Sequence, residues 1–260
     1  MNRDIRKILK DCPDNIKEEW TELCNEFGSD ISINWYAYNK NVDSNGNRNV
    51  WVICPFLDNQ IPFIMEGQFG MNKKDRDKFN QDILNEIKGK MKVWEDFINS
   101  NEDPAEFIMH KMPLVISKSY FPIKLLEIFN SKKGEKLTDE MVWGCIENTW
   151  TLAEQTSNEW WLDVFALRKV PEHYTEDLPN KMTVWRGGDP KGYSWTLDQE
   201  LGQWFAERYG LNQRFCKMEI KKEDVLFYTK LRDEEEIIVI PQDHHIIDEI
   251  GYMPKRIRLS

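Results

Sequence analysis

Between residues 181 and 250 the chain breaks into short runs, MTVWRG, GYSWT, RFCKMEI, VLFY, EIIVI and HHIIDEI, set apart by Gly, Pro, Asp and Lys. Runs this short, rich in β-branched and aromatic residues and bounded by turn formers, predict strands. One segment among them has a helical period, TLDQELGQWFAERYG, with Asp198 as a candidate N-cap and Gly210 past its end. Upstream, at 138–169, LTDEMVWGCIENTWTLAEQ and SNEWWLDVFALRK carry apolar stripes and predict two helices, the second ending near Pro171. Helices and strands gathered in separate stretches point to the α+β class.

The first half reads as a mixed region of its own. Ile5, Leu9, Ile16, Trp20 and Leu23 predict a helix over 3–27 with a break at Pro13 and a stop at Gly28. ISINWYAY and VWVICPF flank the Asn/Gly-rich NKNVDSNGNRN and predict a hairpin, to which IPFIM adds a third strand. Phe79, Ile83, Ile87, Met91 and Trp94 form one stripe and predict a helix over 75–98. MPLVI predicts a strand, and PIKLLEIF a short helix starting at its proline. NSKKGEK, at 130–136, is polar, basic and glycine-containing. It predicts a linker, dividing the chain into an α+β region at 1–135 and a second domain at 136–260.

Composition excludes several classes. Apolar residues at 40% and charged residues at 31% are those of a globular chain, not a disordered one. The net charge of -10 argues against bulk binding of phosphate backbones, though Lys217, Lys221, Lys222 and Lys230 form a candidate local basic patch. The cysteines Cys12, Cys24, Cys54, Cys145 and Cys216 are widely spaced and odd in number, which predicts buried reduced thiols. No apolar run reaches the roughly 18 residues of a membrane span. The N-terminus is too charged for a secretory signal, so the expectation is a cytoplasmic protein with no membrane partner.

Candidate chemistry lies in three pieces: VWRGGD (184–189), GYSWT (192–196) and DEEEIIVIP (233–241). Arg186 ends an apolar strand, and its planar fork suits phosphate or ribose-phosphate oxygens; the two glycines after it would let a ligand approach the backbone. Ser194 and Thr196 are two apart, as are Glu234 and Glu236, so in extended chain each pair shares a face. A serine hydroxyl can then fix a carboxylate's rotamer. Three adjacent acids repel one another, which raises their pKa values and suits one of them to general-base work. Each piece alone also has a bland reading: a surface ion pair, a helix cap, a solvated acidic face.

Taken in order, the three pieces resemble the mono-ADP-ribosyltransferases of the Arg–Ser–Glu type, bacterial toxins and phage-encoded modifiers among them. That family carries an aromatic-Arg strand, an aromatic-Ser-x-Ser/Thr strand leading into a helix with a Phe-Ala pair, and a Glu-x-Glu before an apolar strand. Here these stand as Trp185-Arg186, Tyr193-Ser194-Trp195-Thr196, Phe205-Ala206 and Glu234-Glu235-Glu236. The resemblance covers roughly residues 180–245 and implies a split β-sandwich with flanking helices.

The resemblance further implies that NAD is the substrate, with no metal. Arg186 would hold the NAD phosphate or nicotinamide ribose. Ser194 would orient Glu236, and Thr196 would support the same strand. Glu236 would accept a hydrogen bond from the ribose 2′-OH, and Glu234 would position or deprotonate the nucleophile. Trp185 or Trp195, beside Tyr193, would stack on nicotinamide. The acceptor would be a protein side chain, with arginine mildly favoured, or a nucleic-acid base. The setting would be a toxin–antitoxin or phage conflict with an inhibitor protein as partner. The Arg186–Ser194 gap is shorter than the family's usual spacing. Either the NAD clamp comes from the N-terminal half and the helices at 138–169, or Arg186 is not the family's arginine. The alternatives are a partner-binding protein without activity on the same scaffold, and an NAD glycohydrolase.

Elsewhere the sequence offers little. His244 and His245 are adjacent in a predicted strand and would face opposite sides, so no metal site is expected there; His110 and His173 stand alone. GxGxxG, P-loop and Gly-x-Ser-x-Gly patterns are absent.

Overall fold

A computed structural model describes residues 32–33, 50–56, 61–63, 72–153, 159–208, 214–232 and 234–250. The chain is mixed helix and antiparallel sheet, as the α+β expectation has it. It divides into two compact units. One takes Met1–Glu102 and Leu114–Tyr120, the other Asp103–Pro113 and Phe121–Ser260. The chain thus crosses between the units at 102/103, 113/114 and 120/121, and the segment at 130–136 read as a linker lies within the second unit. There Gly134–Lys136 is a 3-10 turn whose glycine is buried so closely that a Cβ would sit 2.2 Å from the Phe129 carbonyl oxygen.

In the first unit, β1 (Ser32–Ile33), β2 (Val50–Ile53) and β3 (Ile61–Phe63) form an antiparallel sheet in that order, with Ser32 opposite Ile53 and Val50 opposite Phe63. The hairpin and third strand read from alternation are these. The helix expected over 3–27 lies outside the described residues. Helix α1 (Lys73–Asn99) starts at Asn72, whose side chain accepts from the Asp75 N–H at 3.0 Å. Its stripe buries Ile83, Ile87, Trp94 and Phe97.

MPLVI is a helix, Met112–Val115, not the predicted strand. Asp103 caps Pro104–Glu106, and the chain continues through a π-helical turn, Phe107–Lys111, in which the Met112 N–H reaches back to the Phe107 carbonyl. That wider turn relaxes the backbone just before Pro113, where an α-helix would clash with the proline ring. A five-residue apolar run has no period that separates strand from buried helix, and the cap upstream decides it.

The second unit continues with α2 (Phe121–Phe129), α3 (Asp139–Leu152) and α4 (Trp160–Phe165). Thr138 caps α3 by accepting from the Met141 N–H at 3.2 Å. α4 stops well before Pro171. Trp143, Trp150, Trp161 and Phe165 from these helices meet Phe227 in one aromatic cluster, with Trp150 and Trp161 edge-on at 5.1 Å between centroids. Each such ring contributes about 4–6 kcal/mol of gross transfer free energy, before conformational entropy is subtracted.

A six-stranded sheet completes the unit. Its strands are β4 (Lys181–Gly187), β5 (Ser194–Thr196), β6 (Phe215–Lys221), β7 (Val225–Thr229), β8 (Glu236–Val239) and β9 (Ile247–Glu249), in the order β7-β8-β5-β4-β6-β9, all antiparallel. β4 pairs with β6 along its whole length, Lys181 opposite Lys221 to Gly187 opposite Phe215. It meets β5 only where Trp185 faces Thr196. The sheet is thus two three-stranded halves joined at a narrow seam. Helix α5 (Gln199–Arg208) starts at Asp198, whose carboxylate accepts from the Glu200 N–H at 2.8 Å, and lies on β4.

Candidate functional site

The seam between β4 and β5 is where the sheet pairing fails first, and a cleft of about 440 Å3 opens there. Volumes of this size are usual for small-molecule sites. Trp185, Arg186, Ser194, Thr196, Glu234 and Glu236 line it, together with Phe205, Arg208 and Arg232. The antiparallel pairing of β5 with β8 sets Thr196 opposite Glu236 and Ser194 opposite Ile238.

Glu236 is 6% exposed. Ser194 Oγ donates to its Oε1 at 2.5 Å, and Trp150 Nε1 donates to the same oxygen at 3.0 Å. A buried carboxylate is tolerable only with such donors. The Ser194 bond is the one the sequence suggested. The Trp150 bond comes from 86 positions away and was read only as part of a packing stripe. Nothing in its local sequence marks it; the high tryptophan count is the sole hint.

Arg186 reaches the same cleft. Its Nη1 donates to the Ser194 carbonyl and its Nε to the Asp189 carbonyl at 2.6 Å. The guanidinium thereby staples the turn at 187–193 to β5, which is why eight residues suffice between Arg186 and Ser194. Burial lowers its pKa from the ordinary arginine value, against the opposing charges of Asp189 and Glu236. The glycines after it serve the protein itself. A Cβ at Gly187 would lie 2.1 Å from the Ala206 backbone nitrogen, so helix α5 and not a ligand makes the close approach. Gly188 takes φ 107° as the chain turns.

The acids do not share an extended strand. β8 starts at Glu236, and Glu235 has φ 44°, a left-handed conformation that turns the chain between the two outer carboxylates. Both Glu234 and Glu236 still line the cleft, but only Glu236 is held by strand pairing. Glu234 is held through its backbone: Thr196 Oγ1 donates to its carbonyl at 2.7 Å and accepts from the Asp198 N–H at 3.0 Å. Thr196 thus ties the acidic turn to the start of α5, with its hydroxyl already committed. Desolvation, and then the charge of Glu236, raise the Glu234 pKa above the ordinary carboxylate range, with Arg232 and Arg208 opposing.

The aromatic residues divide. Trp185 is half-buried at the cleft, with its ring stacked on Phe215 at 5.6 Å. Trp195 is 1% exposed and belongs to the core with Val184, Cys216 and Ile237; its indole donates to the Gly192 carbonyl at 2.9 Å. A strand puts neighbours on opposite faces, so although Trp195 borders the cleft, its indole packs into the core and offers no exposed ring for stacking. Tyr193 is buried and contributes its carbonyl to the Val239 N–H at 3.0 Å; its side chain is not part of the cleft lining.

His244 and His245 lie in a turn ahead of β9, not in a strand, and do not face opposite sides. Their Nε2 atoms approach Asp224 at 3.6 and 3.4 Å. With Asp224 the two histidines form a group whose ligand atoms all lie within 4.8 Å of one another, a spacing at which a metal could be held, while the Gln242 N–H donates to His245 Nδ1 at 3.0 Å. His110 and His173 are exposed. Two lysines of the basic patch pair with acids, and a third bonds to a backbone carbonyl. Lys217 pairs with Asp248 at 3.3 Å, Lys221 with Glu223 at 2.9 Å, and Lys222 donates to the Glu176 carbonyl at 2.7 Å. Among the described residues no helix is long and apolar enough to cross a membrane.

No family model, no curated protein and no solved structure matches the chain.

Proposed function

We propose that the protein transfers ADP-ribose from NAD to a macromolecular acceptor, a protein side chain or a nucleic-acid base, as a toxin or phage-conflict effector acting in the cytoplasm. One observation carries this reading. Arg186, Ser194 and Glu236, from the neighbouring strands β4, β5 and β8, converge on one cleft, with the Ser194 hydroxyl bonded to Glu236 Oε1 at 2.5 Å. The two three-stranded halves meeting at a seam are what a split β-sandwich of the ADP-ribosyltransferase kind requires.

The chemistry follows from the groups. Breaking the bond between nicotinamide and ribose develops positive charge on the ribose, as in glycoside hydrolysis. Glu236, fixed by two neutral donors on Oε1, has Oε2 left for a ribose hydroxyl beside the nascent cation. A carboxylate so placed stabilises the transition state more than the ground state. The Arg186 fork supplies its remaining N–H groups to phosphate or ribose oxygens. NAD carries its own cationic leaving group. Glu234, its pKa raised by desolvation and by the charge of Glu236, is placed to accept a proton from the incoming nucleophile.

The test is nicotinamide release from NAD in the presence of host lysate, with ADP-ribose label followed into protease- and nuclease-sensitive fractions. Glu236→Gln is expected to abolish release, a loss of at least about a hundredfold for a group placed against developing charge. A second reading is favoured by Arg186, since two of its donor positions are spent on backbone carbonyls. A partner-binding protein without activity would keep those staples and need no NAD. If wild type and Glu236→Gln both leave NAD untouched, that reading replaces ours. Rapid release with no labelled macromolecule would make the protein an NAD glycohydrolase.

A further inference from the structure

We propose that Trp150 is a positioning residue for Glu236, acting through its indole N–H, and that this sets the turnover of the cleft. The inference rests on the functional reading above for its kinetic arm only. Trp150 is 1% exposed, and its Nε1 lies 3.0 Å from Glu236 Oε1. Its ring is wedged against Trp161, Phe165 and Phe227 at 5.1, 5.4 and 6.1 Å between centroids, so the N–H direction is set by packing. Phe227 lies on β7, opposite Ile238 of β8, so the same cluster that holds the indole also backs the strand carrying the carboxylate.

Two features make the bond more than packing. Both Ser194 and Trp150 donate to Oε1, which fixes the rotamer from two directions and leaves Oε2 as the oxygen for a ligand. Both donors are neutral. A lysine or arginine in their place would hold the carboxylate equally well and cancel the charge that a sugar cation needs. An indole N–H is a donor only, with a single direction, and cannot be traded for a competing acceptor geometry.

Trp161 provides the control. It is as deeply buried in the same cluster, but its Nε1 has no hydrogen-bond partner among the described residues. Trp150→Phe and Trp161→Phe therefore remove the same atoms from the same core, and only the first removes a donor to Glu236. In nicotinamide release, Trp150→Phe is expected to lower kcat ten- to a hundredfold, roughly what one hydrogen bond to a charged group is worth, with KM for NAD within about twofold. Trp161→Phe should leave kcat within about threefold. Equal losses in the two variants, or a raised KM at unchanged kcat, would reduce Trp150 to a packing residue and overturn the proposal.

A second measurement needs neither activity nor a core variant. In protein labelled with 15N at the indoles, Glu236→Gln should move the Trp150 Nε1–H resonance upfield while that of Trp161 stays. If the Trp150 resonance does not move, the bond does not exist and the proposal fails whatever the kinetics. If it moves but wild type releases no nicotinamide, the ADP-ribosyl reading fails and the positioning of the carboxylate stands.

Discussion

Glu235 holds φ 44° between two residues of opposite duty, and its conformation is what lets one turn carry both. A side chain with a Cβ costs about 1–2 kcal/mol in this region, and a branched one more. Glu235→Gly is therefore expected to leave thermal stability unchanged or raised, whereas Glu235→Val lowers it by about 1–2 kcal/mol in denaturant melts. Glu234 gives a pH signature. Its pKa is raised in the fold, by desolvation first and by the charge of Glu236 second. Between its unfolded and folded pKa values the native chain binds more protons, so stability falls as pH rises through that window. Glu234→Gln should raise Tm above the window and leave it unchanged below. A Tm difference that persists at low pH would mean that ionisation of Glu234 carries no penalty. Ser194 was legible because its alternation with Thr196 survives in β5, and Glu236 because it opens the apolar run that forms β8, even though the turn at Glu235 breaks its alternation with Glu234. Trp150 was not, because a hydrogen bond across 86 positions leaves no local trace.

At the scale of elements, the β4–α5 contact decides where the cleft can be. Gly187 admits the helix backbone at Ala206, and the obstacle to any larger residue is main chain, which cannot rotate aside. Gly187→Ala should cost about 1–3 kcal/mol in urea unfolding. It should also weaken NAD binding, because α5 carries Phe205 and Arg208 into the cleft lining. Unchanged stability would mean that the helix has room to move. Strands β4, β6, β7 and β8 and helices α1, α3 and α5 were readable from period and caps. MPLVI was not, since a run of five apolar residues fits either period, and the π-helical turn before Pro113 that makes it helical is a property of the preceding backbone. The His244–His245 pair was misplaced for a related reason. β9 keeps only Ile247–Glu249, and the histidines turn together toward Asp224.

For the whole molecule, the odd cysteine count foretold buried reduced thiols: Cys145 and Cys216 are free and buried, and Cys54 is buried; Cys12 and Cys24 lie outside the described residues. Burial pushes the Cys145 thiol up to about 12, with Asp103 adding to the shift, and raises Cys216 as well. At neutral pH a thiol reagent should label neither until the protein unfolds, and labelling of Cys145 in the native state would contradict its burial. Sequence alone was enough for the α+β class, the Asp198 cap of α5, the strand run after residue 180 and the residue types at the cleft. These depend on period, capping and turn chemistry, which act over a few neighbours. Only the tertiary structure decided that β4 and β5 pair over so short a stretch and that Arg186 spends donors on its own turn. Packing alone also turned Trp195 inward and brought Trp150 to Glu236. Those outcomes follow from which faces bury against which, and packing between distant segments is set by the whole chain at once.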